Sequence, residues 1–70
     1  MDKALLEYWM DRRGKTIADM CSMLGISRSA FYRKCNGISE FTLIEIQRII
    51  DYLNLAFSDV MEIFFTNKVS

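Results

Sequence analysis

"LGISRSAFYRKCNG", residues 24–37, sets Arg28, Arg33 and Lys34 on one short segment that contains no acid. The segment also carries its own boundaries. Gly25 breaks whatever precedes it, and Ser27 is suited to cap a new helix. Ile26 before that cap and Phe31 four positions after it have the spacing of a hydrophobic staple, which fixes the angle at which a chain enters a helix. Asn36-Gly37 favours a left-handed turn. The pattern predicts a helix over about residues 28–35.

Upstream, Thr16 and Asp19 have capping-box spacing, and Ile17, Met20, Cys21 and Leu24 recur at i, i+3, i+4, i+7. A helix over residues 16–24 follows, with one apolar face. Two short helices joined by a tight glycine-containing turn make a helix-turn-helix unit, here residues 16–35 with Gly25-Ile26-Ser27 as the turn. Such a unit needs small residues where its helices cross and an apolar anchor on the second helix. Ala18 and Cys21 are candidates for the crossing, Phe31 for the anchor.

The flanks read the same way. Leu5, Leu6, Trp9 and Met10 form a stripe on a helix over residues 3–13, with Arg12 and Arg13 in its last turn and Gly14 as its left-handed end. Thr42 and Glu45 make a second capping box, and Phe41 with Ile46 a second staple. Leu43, Ile46, Ile49, Ile50 and Leu53 are then expected to face inward. Ser58 is the expected cap of a last helix carrying Val60, Met61, Ile63, Phe64 and Phe65, and residues 66–70 read as a frayed polar tail. Nothing alternates as a strand would. The expected fold is all-α: five short helices around one core, one domain over residues 1–70, with the initial Met1 favouring a complete chain.

Composition narrows the function. At 70 residues, 51% hydrophobic and 26% charged, the chain supports one globular core and no second lobe. No window approaches the 18 apolar residues of a membrane span, and no basic region precedes an apolar stretch as in a secretory signal, so a soluble cytoplasmic protein with no membrane partner is expected. Histidine is absent, and Cys21 and Cys35 are too few and too far apart for a metal site. No metal or other cofactor is expected, and both cysteines read as small apolar residues. With no histidine to serve as a general base, an enzyme is not expected. The "GKT" at 14–16 resembles the end of a phosphate-binding loop, but that loop needs a glycine where Trp9 stands.

Charge points elsewhere. The chain is formally neutral, yet residues 12–34 hold Arg12, Arg13, Lys15, Arg28, Arg33 and Lys34 against Asp19 alone. The segments on either side are net acidic. Local field, more than total charge, governs encounter with a polyanion, so this distribution favours nucleic acid.

The runs "TIADMCSMLGISRSAFYRKCNG" and "IQRIIDYLNL" resemble the lambda-repressor-like family of helix-turn-helix regulators, the Cro/repressor group of phage and bacteria, over residues 3 to about 64. The resemblance implies that the helix over residues 28–35 lies in the major groove of double-stranded DNA with its N-terminal residues at base edges. It implies Arg28, Ser29 and Arg33 as base readers; Tyr32 lies on the same side. Arginine can donate a bidentate pair to guanine, and Arg28 is the first choice for that role. It also implies phosphate contacts at Thr16, Ile17 and Ser27. Arg12, Arg13, Lys15 and Lys34 add cations suited to phosphate, which position the protein without specifying sequence. Two departures stand out: Lys34 where the family prefers an apolar residue, and Ile17 where glutamine is common.

The last helix is more apolar than one small core requires. Phe57, Val60, Met61, Phe64 and Phe65 are the expected dimer interface, giving a homodimer whose two recognition helices meet successive turns of a palindromic operator, about 34 Å apart. A phage- or mobile-element-type repressor is the leading expectation, cytoplasmic or nucleoid-associated in a bacterial cell and controlled by its concentration, with no small-molecule effector. The alternative is an antitoxin or antirepressor-type module that binds another protein through the same apolar helix.

Overall fold

Helix starts in this chain are set by short polar side chains that take up orphan backbone N–H groups. In the computed structural model, which describes residues 1–65, Asp2, Thr16, Ser27 and Thr42 each accept a hydrogen bond from an amide three residues on. They open α1 (Lys3–Arg12), α2 (Ile17–Leu24), α3 (Arg28–Cys35) and α4 (Leu43–Leu53), and α5 (Phe57–Phe64) completes the described chain. Both predicted capping boxes are closed: Asp19 and Glu45 return bonds to the N–H groups of Thr16 and Thr42 at 2.8 Å each. The tail over residues 66–70 lies outside the described residues.

Gly25 ends α2 in the left-handed region at φ +69°, and Gly37 follows α3 at φ +79°, where a Cβ would be strained. The turn between α2 and α3 is therefore short and fixed. The amides of Gly25 and Ile26 both donate back to the Cys21 carbonyl, at 2.8 and 3.1 Å.

The core draws on every helix. Leu6, Met20, Ile49, Leu53 and Ile63 are its largest fully enclosed side chains, and α3 contributes Phe31 and Cys35. Edge-on aromatic contacts continue from Phe31 to Phe41 and from Phe41 to Phe64, each with centroids 6.0 Å apart. The Asp2 N–H donates to the Ile63 carbonyl at 2.7 Å, tying the start of the chain to α5.

Three expectations are corrected. α5 starts ahead of Ser58: its N-cap is Ala56, which has no acceptor of its own, and Asp59 alone supports the turn by accepting the Ala56 N–H at 3.0 Å. Leu43 is 70% exposed, because α4 turns its Glu45–Ile49–Leu53 row inward and carries Leu43 round its flank. Ala18 is exposed on α2, so of the two small residues Cys21 alone is buried.

Candidate nucleic-acid interface

α3 is a two-faced helix of eight residues. Phe31 and Cys35, one turn apart, hold it to the core, and Ile26 packs on the same core from the turn before it. Arg28, Ser29, Tyr32 and Arg33 fall on the other side and are all exposed. At i, i+1, i+4 and i+5 they make one continuous outward strip. Ser27 Oγ accepts the Ala30 N–H at 3.1 Å, so the basic strip begins at a capped, electropositive helix end.

The side chains of Arg28 and Arg33 make no hydrogen bond or ion pair with any described residue. Their guanidinium groups keep all their donors for a ligand, as bidentate recognition of a base edge requires. Tyr32, with its ring edge-on to Phe31 at 6.4 Å, lies between them with 40% of its surface exposed.

The other cations have local supports. Lys15 places its ammonium 4.6 Å from the Tyr52 ring centroid. Arg12 lies over Tyr8 and Trp9, at 5.7 and 5.9 Å, with Nη1 3.3 Å from the Tyr8 hydroxyl. Such contacts steady the stems while leaving the charge accessible. Thr16 is exposed and Ile17 half-buried, so Ile17 offers the α2 N-terminus its amide more than its side chain. Hydrogen bonds from the Thr16 N–H and hydroxyl hold the Asp19 carboxyl below the usual carboxylate range, so the acid of this segment stays ionised.

Two of the expected phosphate contacts are engaged within the fold. Arg13 Nε donates to the Leu53 carbonyl at 2.6 Å and Nη2 to that of Asn54 at 3.3 Å. Lys34 Nζ lies 2.6 Å from Glu45 Oε1. Neither partner is a helix neighbour, so local sequence carries no sign of either contact. Lys3 is a cation that sequence reasoning missed. Its Nζ reaches Asn36 Oδ1 at 3.1 Å, beside the end of α3, from a segment that is net acidic on paper.

Phe57 and Met61 on α5 and Phe65 at its C-cap recur at four-residue spacing and are exposed, Phe57 by 80%. Val60, expected on that face, is 7% exposed and closes the chain's own core with Ile63; Phe64 is half-buried against Phe41. The outward row is thus narrower than the composition of the helix suggested.

Among the described residues no cluster of His, Cys, Asp or Glu could hold a metal ion, and no helix is long and apolar enough to cross a membrane. A family model described as the Cro/C1-type HTH DNA-binding domain matches residues 6–65. No curated protein and no solved structure matches the chain.

Proposed function

Because the chain belongs to the Cro/C1-type helix-turn-helix DNA-binding family, we propose that it is a sequence-specific, dimeric repressor of the phage or mobile-element type. In this reading it acts in the bacterial cytoplasm on a palindromic operator. The observation that carries the proposal is the outward strip of α3, where the Arg28 and Arg33 guanidinium groups have no hydrogen-bond or ion-pair partner among the described residues. Arg28, Ser29, Tyr32 and Arg33 meet base edges in the major groove. Arg12, Lys15, Thr16, Ile17 and Ser27 meet phosphates on either side.

The dimer rests on size and on α5. The longest dimension of the described residues is 31 Å, short of the roughly 34 Å between equivalent faces of successive duplex turns. One copy therefore reads one half-site. Burying the Phe57–Met61–Phe65 row against its two-fold mate removes apolar surface from water and sets the spacing of the pair.

Selection from a random pool of duplex DNA tests the proposal: an inverted repeat with half-sites one turn apart is expected. Enrichment of no sequence, together with capture of an unrelated protein through the α5 row, would favour the antitoxin or antirepressor reading.

A further inference from the structure

Lys34 and Glu45 form the ion pair among the described residues, and it joins the last turn of α3 to the first turn of α4. Nζ and Oε1 are 2.6 Å apart, and the two side chains are only 15% and 12% exposed. The same Oε1 accepts the Thr42 N–H at 2.8 Å, so one oxygen closes the α4 cap and grips α3. The Phe41 ring lies 5.8 Å from the ammonium and screens it on another side. Burial pushes the Glu45 carboxyl up, but the Lys34 amine and the Thr42 N–H and hydroxyl together hold it below the usual carboxylate range.

Releasing Lys34 to a phosphate would leave a nearly buried carboxylate without its cation, which is costly, and close to a second anion. The other holds on α3 are its inner face, through Phe31 and Cys35, the Ile26 turn at its start and the Lys3 bond to Asn36 at its end. Among the side-chain hydrogen bonds and ion pairs of the described residues, the Lys34–Glu45 contact is the one that joins α3 to α4.

We propose that Lys34 and Glu45 are a positioning pair: they set the tilt of α3 against α4, and so its discrimination between bases, while Lys34 touches no phosphate. The inference rests on the reading that α3 enters the major groove.

Lys34→Met and Glu45→Gln, alone and combined, test it. Glutamine keeps the oxygen that Thr42 needs. Each variant is titrated with the selected operator and with a random duplex over a range of salt, after thermal unfolding has shown that it folds. The pair predicts that both single variants lose operator-over-random preference in the same direction, by about 5-fold or more, with the double variant no worse than either. The salt slope on the random duplex stays unchanged. A phosphate-anchoring Lys34 predicts opposite signs instead. Lys34→Met would weaken both duplexes, with a slope shallower by about 0.9 for each phosphate no longer neutralised, and Glu45→Gln would strengthen both. That result, or no change in preference in either variant, overturns the proposal.

If neither variant folds, the Glu45 carboxyl carbon shift of the unmodified protein decides. It is unmoved by operator if the pair persists and displaced if Lys34 has left it. An unmodified protein with no preference among duplexes would sink the groove reading itself.

Discussion

Arg13 at the end of α1 donates its Nε hydrogen to the carbonyl of Leu53 at the end of α4, 2.6 Å away and forty positions along the chain. The last carbonyls of a helix have no partner within it, and here one cation closes that end while its guanidinium rests 5.0 Å from the Trp9 ring centroid. Arg13→Ala should therefore lower stability by about 1.5–3 kcal/mol, the net value of a charge-assisted hydrogen bond. Urea unfolding measures this. The folded variant should retain its salt slope on DNA; a shallower slope with no loss of stability would return Arg13 to the phosphate contacts.

Arg28 opens α3, and its side chain has no hydrogen-bond or ion-pair partner among the described residues. Arg28→Ala should abolish preference at one base pair per half-site, worth about 1–3 kcal/mol there, with other positions read as before. Lys15→Ala should weaken binding to all duplexes alike. Quantitative selection with both variants separates the two patterns, and identical profiles would remove Arg28 from the base readers.

The exposed row on α5 makes a prediction about assembly. Met61→Lys places a charge at the centre of the Phe57–Met61–Phe65 face without entering the core, since Met61 is exposed. Sedimentation velocity should show the dimer dissociating at concentrations at least about tenfold higher than for the unmodified chain, and operator affinity should fall with it. A dimer of unchanged strength would move the interface elsewhere.

Acid should weaken the fold through Glu45. Its folded carboxyl titrates below the ordinary value of 4.5, so its stabilising effect is complete above that value and is lost as pH falls through the lower folded one. Glu45→Gln should cost about 1–2 kcal/mol at neutral pH and less as pH falls, flattening the acid limb of the stability profile. Parallel acid limbs in the two proteins would contradict the assignment.

Burial pushes the Cys35 thiol up to about 11, and Cys21 is likewise enclosed. At pH 8 only about a thousandth of Cys35 is thiolate. A thiol-reactive dye should therefore label the folded chain slowly and label both residues promptly in denaturant. Rapid labelling of the native protein would show that α3 opens from the core far more readily than its packing implies.

Much of this molecule can be read from residues close together in the chain. The five helices, the caps at Thr16, Ser27 and Thr42, the left-handed glycines, and the strip Arg28–Ser29–Tyr32–Arg33 all follow from interactions spanning one or two turns. Such interactions depend on spacing alone, so the amino-acid order determines them. What each cation and apolar side chain meets was decided by how the helices pack. Arg13 closes α4, Lys34 grips Glu45, Lys3 arrives beside Asn36, Val60 turns inward and Leu43 turns out. These outcomes depend on the rotation of each helix about its axis and on its angle to its neighbours, and those are settled by all the side chains filling the core at once.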